Sequence, residues 1–416
     1  MNKNKIIKNV LNASSLSLLA LVVSANLSAT PLSVITVAPQ QADLMSIAAP
    51  DYQVEHQAVH FSQKVSVNSK LSLKAKGYEN VSDEYWLEVT GEQLNKGLNI
   101  AISSPGALIR LSGKQVNGEM SALDLAIDPK QVQLFKNKQA LVKPFKQTVS
   151  QQQFATANIF PNSSAMQLDK SMGKGNFTLQ VSQSLNAQQH YMINVKEKNS
   201  PYKLHLSIAK QSYLAGEKIT LDSFINRAVN RVTNKSMVNK STAKLAHVTN
   251  NAYIKTPNGE KFSVNLQKHN GKFQVQVPSS SLPAKRGALY ELYVSSQAND
   301  HGLKIRRNAK VAFAIAQPTA RMQGNYSVNN TAAKVKLNVA SEGRYEVSGL
   351  VYGTSKNGVQ LPIMLSRSAY YLQPGEQEVQ LKFDQKILAA SGLKAPFTVK
   401  QLRLMDQSRM ALLQQL

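Results

Sequence analysis

"GRYEVSGLVYGTSKNGVQLPIML", residues 343–365, places two alternating apolar segments on either side of a short polar turn. Alternation of apolar and polar residues is the pattern of a half-buried β-strand. Residues 356–358 (KNG) supply the positive φ angles of a tight turn. Every second residue from Val359 to Leu365 is apolar and is expected to face a core, and Pro362, which has no N–H, indicates an edge strand. The stretch predicts a β-hairpin.

The same pattern fills most of the chain. Between residues 201 and 318, about seven short strands alternate with tight turns, as in an antiparallel immunoglobulin-like sandwich. The turn signals PNG at 257–259 and NG at 270–271 flank the central strands. Residues 319–416 repeat the pattern, whereas 51–200 is less regular. We therefore predict an all-β protein of tandem antiparallel β-sandwich domains, the last two immunoglobulin-like, after a cleaved signal peptide.

The domain boundaries follow from shifts in composition. The predicted segments are a signal peptide (1–25), a flexible extension (26–50), an N-terminal β-rich domain (51–200), an immunoglobulin-like sandwich (201–318) and a C-terminal immunoglobulin-like sandwich (319–416).

The first residues have the form of an export signal. Three lysines precede the apolar run LSLLALVVSA at 16–25, and Ala25 or Ala29 ends a small-residue cleavage site. Ten apolar residues cannot span ~30 Å of hydrocarbon as a helix, and no later segment is long and apolar enough. Since the chain has no cysteine, it has no lipid acceptor. We expect an exported protein, periplasmic or secreted, that is not a lipoprotein and has no transmembrane segment after cleavage.

The tail GRYEVSGLVYG…LQPGEQEVQLKFDQKILAASGLKAPFTVKQLRLMD resembles the immunoglobulin-like end domain of several bacterial exported proteins. Together with EYWLEVTGEQLNKGLNIAISSPGALIRL and YLAGEKITL, it is similar to an uncharacterised three-domain exported family of Gram-negative bacteria, a family of unknown function. The resemblance implies the fold and brings no catalytic residues.

The charge is strongly positive, with 49 Lys and Arg against 24 Asp and Glu, a formal +25. Two stretches hold cations and no acid. The first, between Asp222 and Glu260, contains Arg227, Arg231, Lys235, Lys240 and Lys244; the second, between Asp128 and Asp169, contains Lys130, Lys136 and Lys138.

These cations form a candidate surface for an anionic polysaccharide, lipopolysaccharide or protein partner. A spacing of four places the first three on one face if the segment is helical. The alternative is two solvated, lysine-rich loops. Aromatic residues hardly interleave with either stretch, which argues against nucleic acid.

Signals for catalysis or metal binding are weak. His56 and His60 are the only metal candidates; on a helix they share a face, but on a strand they lie ~13 Å apart. Nucleophile elbows, phosphate loops and calcium loops are absent from the sequence. We expect no metal, no cofactor and no catalytic residue, hence a binding protein and not an enzyme. The alternatives are a hydrolase or hydrolase-accessory module with the N-terminal domain as the active unit, and a periplasmic chaperone that lends a strand.

Overall fold

The computed structural model describes residues 33–37, 43–48, 52–69, 71, 77–114, 126–160, 162–233, 237–277 and 288–416, with the backbone alone for 229–233 and 237–241. The predicted signal peptide lies outside the described residues. None of the helices in the described part of the chain has the length and apolar content needed to span a bilayer.

Three strands precede the first domain: β1 (Ser33–Thr36), β2 (Val59–Lys64) and β3 (Tyr78–Ser82). The first domain then contains β4 (Glu84–Thr90), α1 (Gly91–Lys96), β5 (Leu98–Ile102), β6 (Leu108–Gly113), β7 (Val132–Lys136), β8 (Gln139–Ala140), β9 (Phe145–Val149), α2 (Gln151–Thr156), β10 (Ser163–Leu168), β11 (Gly175–Val181) and β12 (His190–Lys196). Its two sheets run β4-β12-β6-β10-β9 and β5-β11-β7-β8 around one apolar core.

The second domain contains β13 (Tyr202–Ile208), β14 (Ser212–Leu214), β15 (Lys218–Thr233), β16 (Met237–Lys244), β17 (Thr249–Lys255), β18 (Lys261–Val264), β19 (Gln267–His269), β20 (Lys272–Gln276), β21 (Tyr290–Asp300) and β22 (Leu303–Ala316). One sheet runs β19-β20-β15-β13-β3 with β16 beside β15, and the other runs β14-β22-β21-β17-β18. Strands β14 and β22 pair in parallel. Positive φ angles at Asn270, Gly271 and Gly259 confirm the two predicted turns.

The third domain contains β23 (Ala320–Val328), β24 (Ala332–Val339), β25 (Gly343–Thr354), β26 (Gln360–Leu372), β27 (Gly375–Lys382), α3 (Gln385–Ser391), β28 (Lys394–Asp406) and β29 (Ala411–Gln415). Its sheets run β1-β23-β24-β27 and β2-β26-β25-β28-β29. The predicted fold class, tandem antiparallel β-sandwiches, is confirmed.

The hairpin of residues 343–365 is present as β25 and β26, and Gly358 in its turn has φ +76°. Two details of its prediction are wrong. The register shifts opposite Val351 and Tyr352, so Ile363 and Met364 are both buried while Val359 is 54% exposed. Pro362 lies at this irregularity, where its missing N–H is tolerated because the regular pattern of ladder hydrogen bonds is already interrupted.

The second wrong detail is the edge strand. Strand β26 is an inner strand, because β2 pairs with it from Met364 to Ala369.

The chain before the first domain supplies edge strands to the other two domains. Strand β1 pairs with β23, β2 with β26, and β3 with β13. The prediction of a flexible extension over 26–50 is therefore wrong for the strand at 33–36. The first sandwich itself begins at β4, so residues before Glu84 belong structurally to its neighbours.

Polar contacts also hold this N-terminal segment to the third domain. Ser341 Oγ donates to the carbonyl of Met45 (2.8 Å), and Arg409 Nη2 donates to that of Ala48 (2.9 Å). Arg344 Nη1 donates to the carbonyls of Glu55 and Gln57. Since these donors bind backbone oxygens, the anchoring depends little on the side chains of the segment.

A buried ion pair joins the first and second domains. Arg307 on β22 and Glu197 after β12 have fully buried side chains, with Nη2 2.9 Å from Oε2. Arg307 also donates to Ser200 Oγ (2.8 Å) and the Tyr202 carbonyl (3.1 Å), and Ser103 donates its backbone N–H to Glu197 Oε1 (3.0 Å). Each buried charge is therefore surrounded by partners, which offset the cost of desolvation.

Removing one member of this pair should destabilise the protein strongly. We expect R307M to lower the free energy of unfolding by about 3–5 kcal/mol, because Glu197 is left buried and uncompensated. The double variant R307M/E197Q should be more stable than R307M. Urea unfolding followed by the fluorescence of the single tryptophan, Trp86, measures both. The control is R321M on β23, for which about 0.5 kcal/mol or less is expected; equal losses in R307M and R321M would contradict the role of the pair.

Removing β1 and β2 should expose the edges that they cover. We expect a chain lacking residues 1–69 to melt at a lower temperature and to associate with rising concentration, because β26 becomes an open edge strand. A chain lacking only residues 1–32 is the control. Light scattering coupled to gel filtration distinguishes the two, and a stable monomer in both cases would refute the edge-covering role.

Candidate functional site

The first acid-free stretch forms a β-hairpin. Residues 218–233 and 237–244 are the paired strands β15 and β16, so the predicted helical face for Arg227, Arg231 and Lys235 is wrong. The alternation of ITLDSFI simply continues past Phe224 into the cationic segment, which extends the strand. Lys235 lies outside the described residues. Arg231 and Lys240 pair with Asn239 and Asn230 along the backbone, and their side chains lie outside the described part.

Arg227 anchors the base of this hairpin. Its Nη1 lies 2.8 Å from Asp300 Oδ2, which also accepts a hydrogen bond from the Tyr202 hydroxyl (2.8 Å). Burial disfavours the charged form of Asp300, but the bonds from Tyr202 and Arg227 outweigh it and lower its pKa. Arg227 therefore makes a structural ion pair with Asp300, although the sequence predicted it to bind an anionic partner.

A row of side chains crosses the exposed face of the sheet beside the hairpin. His205 on β13 stacks on Phe224 of β15 with 5.1 Å between ring centroids, and Lys244 Nζ lies 3.7 Å from the Phe224 centroid. Glu79 on β3 lies 2.8 Å from His205 Nδ1. In the backbone register, Asn226 on β15 lies between Lys203 on β13 and Lys244 on β16. Both lysine side chains are exposed. The base of the hairpin therefore presents two lysines beside an aromatic stack.

The second predicted group of cations lies on the first domain, whereas the hairpin belongs to the second. Lys136 Nζ donates to the carbonyls of Met172 (3.2 Å) and Lys174 (3.3 Å), so it is a structural residue. Lys130 lies in the helical turn Pro129–Gln131, and Lys138 has φ +66° in the turn between β7 and β8. Lys130 and Lys138 are exposed.

The two metal candidates have separate partners. His56 stacks on Tyr371 at 3.7 Å between ring centroids, and His60 Nδ1 lies 3.0 Å from Ser368 Oγ. Within the residues that the structure describes, no group of three or more His, Asp or Glu side chains is arranged to hold a metal ion.

A cluster of ionisable groups that sequence reasoning missed lies between the first and second domains. Glu88 on β4 contacts Lys114 (2.6 Å) in its own domain and Lys261 (3.1 Å) in the next. The hydrogen bond from Lys114, with that from Lys261, lowers the pKa of Glu88 to about 2 against the effect of burial. Glu88 therefore remains ionised throughout the physiological range.

Two stacked tyrosines complete this cluster. The rings of Tyr253 and Tyr293 lie parallel, 4.7 Å apart, and Lys310 bridges Tyr293 and Glu291. Burial, followed by the charges of its neighbours, raises the pKa of Tyr253 to about 12. Burial disfavours ionised Glu291, yet its bonds to Lys310 and Tyr293 lower its pKa.

These pKa directions define what the cluster can do. A general acid of a hydrolase needs a carboxyl group with a raised pKa, whereas both carboxylates here are held ionised by lysines. The arrangement fits an ionic link between two domains.

Two models of one family match the chain. Residues 50–197 match the N-terminal domain, and residues 319–416 the C-terminal domain, of the domain of unknown function DUF4785. The two matches together cover more than half of the chain. This chain belongs to the DUF4785 family.

A solved member of the DUF4785 family confirms the fold. The crystal structure of a DUF4785 protein from Legionella pneumophila covers 91% of this chain and 97% of its own, with 22% identity and a TM-score of 0.64. Trypsin-activated alpha-2-macroglobulin from Escherichia coli matches with 10% identity over 90% of this chain and 24% of its own. Its TM-score of 0.17 is too low to indicate a shared fold. A search of curated proteins found no match. The predicted resemblance to a multidomain family of unknown function is confirmed.

The Glu88 link predicts a specific dependence of stability on pH. Because its pKa is lowered on folding, Glu88 stabilises the protein above its unfolded value of 4.5, and this contribution is lost as pH falls towards about 2. We expect E88Q to lose about 1–2 kcal/mol at pH 7, after allowing for solvent screening of a side chain that is 30% exposed. The difference from wild type should shrink between pH 5 and pH 2.

Thermal unfolding over that pH range tests this prediction. The exposed carboxylate of the β17–β18 turn gives the control variant E260Q. A difference between E88Q and wild type that is independent of pH would contradict the assignment.

Proposed function

We propose that this DUF4785 protein is an exported, non-catalytic binding protein that holds a polyanionic glycan of the cell envelope on the β15–β16 hairpin. The main support for the proposal is the fold of the acid-free stretch between Asp222 and Glu260. Within the described residues, the backbone of Val229–Thr233 pairs with β16 alone, beyond the last pair with β13 at Arg227.

A two-stranded ribbon of this kind gains little from the core of its domain and is marginally stable alone. Its segment carries Arg231, Lys235, Lys240 and Lys244 and no acid. This concentration of positive charge favours an extended ligand with repeated negative charges. Lys203 and Lys244, which are exposed, add two positive charges on the sheet at the base of the hairpin.

The two alternative functions are less well supported. The chaperone alternative would be favoured by a long unpaired edge near Pro362 or in the second domain. Strand β2 pairs with β26 along Met364–Ala369, next to Pro362, whereas β16 of the second domain pairs with β15 alone among the described strands. The hydrolase alternative drew on convergent acids in the first domain, and Glu88, which lies there, is neutralised by Lys114 and Lys261.

The test is retention on immobilised polygalacturonate, with neutral dextran as the comparison surface, across a salt series. We expect saturable binding that weakens with salt. The variant R231Q/K235Q/K240Q should bind about tenfold more weakly, because it lacks three surface ion pairs with the ligand.

The matched control is K336Q/K356Q/K394Q, which removes the same charge from exposed positions of the third domain. Equal retention of the two triple variants would show that net charge, and not the hairpin, governs binding, and would overturn the proposal.

A further inference from the structure

A cavity of about 190 Å³ lies where the first domain meets β22 of the second. Its lining consists of Asn99, Ile100 and Ala101 on β5, Asn176 on β11, and Lys304 and Arg306 on β22. It is separate from the hairpin, and the residues of the Glu88 cluster do not line it.

The cations of this cavity lack a countercharge. Lys304 and Arg306 are two residues apart on a strand, so they share a face, and both are half-buried. Neither forms an ion pair within the part of the chain that the structure describes. Arg306 Nε is buried and makes no hydrogen bond in the structure. An unsatisfied buried donor of this kind is unfavourable unless a ligand or water pairs with it.

The buried carboxylate at this junction is already neutralised. Glu197 pairs with Arg307, the next residue along β22, and Arg307 Nη1 donates to the carbonyl of Arg306 (2.6 Å). Arg307 directly follows Arg306 in sequence, so its side chain projects from the opposite face of β22. Glu197 therefore neutralises Arg307 and leaves Lys304 and Arg306 without an ion-pair partner in the described part of the chain.

The first domain offers polar groups opposite these cations. Asn99 borders the cavity, and its Oδ1 accepts a hydrogen bond from Thr178 Oγ1 (3.1 Å), which leaves its Nδ2 as a donor for a ligand. The amide of Asn176 also borders the cavity. Two cations and two amides thus converge from both domains on one small volume.

From this convergence we infer that the junction cavity is a binding site for an oxyanion: a phosphate, sulfate or carboxylate group. An arginine presents its Nε–H and an Nη–H as a fork that matches two oxygens of such a group, and a lysine adds a point charge. The volume suits one charged group, free or as part of a larger molecule. This inference does not rest on the proposed function, since it concerns other residues and small ions.

The test is isothermal titration calorimetry of the full protein with sodium phosphate, sodium sulfate and sodium acetate, each at an ionic strength fixed with sodium chloride. We expect one saturable site for at least one of the three ions. The response to acetate against phosphate and sulfate tells whether the ligand is a carboxylate or a tetrahedral oxyanion. No saturable binding of any of the three would overturn the inference.

Variants separate this site from general attraction by a basic protein. K304Q/R306Q should bind ~10- to 100-fold more weakly, and R306K should also lose most of the binding although it keeps the charge, because it lacks the fork. The matched control R321Q/K336Q, which removes two charges from the third domain, should bind as wild type does. If R306K binds as tightly as wild type, or if the control loses as much as K304Q/R306Q, the site is refuted. If K304Q/R306Q fails to fold, the binding measurements are made on the single variants R306K and K304Q instead.

Discussion

The buried pair of Arg307 and Glu197 is the constraint on which the arrangement of the first two domains depends. Two fully buried charges are tolerable only if every donor and acceptor finds a partner. Here the partners come from the β5–β6 loop, the connection between the domains and β22, so all three elements must meet in one geometry. The same geometry places Lys304 and Arg306 against the first domain and brings Glu88 to Lys261.

The N-terminal segment imposes a second constraint, this time on the third domain. Its strands β1 and β2 extend both sheets of that domain, and β3 extends a sheet of the second domain. An uncovered strand edge invites pairing with another chain. The need to cover these edges explains the position of the N-terminal segment. Strand β1 was predicted to lie in a flexible extension, and β2 and β3 in the first domain, yet all three pair with the second or third domain.

The sequence predicts the sandwiches well because alternation reports burial directly. The third-domain hairpin, the turns at 257–259 and 270–271 and the all-β class all follow from it. It could not reveal which strand covers β26, because pairing between distant segments leaves no local pattern. It also gave no reason to expect the irregularity opposite Val351 that buries Ile363 and Met364 together.

The buried charges did leave a signal. Arg307 occupies the inward phase of Ile305, Ala309 and Val311, and Glu197 continues the inward phase of Ile193 and Val195. Arg227 and Asp300 likewise fall in apolar phases of β15 and β21. In both cases, a charged residue in the inward phase of a strand indicates an ion pair, which is fully buried for Arg307 and Glu197. The spacing of four that predicted a helix was uninformative, since residues four apart also share a face of a strand.

The proposed function depends on the β15–β16 hairpin being the surface that binds a polyanion. The most direct measurement is amide hydrogen exchange, followed by mass spectrometry, with and without soluble polygalacturonate. We expect slower exchange in peptides that cover residues 226–244, with little change in the third domain. Unchanged exchange over 226–244 at saturating ligand, with protection elsewhere or nowhere, would contradict it.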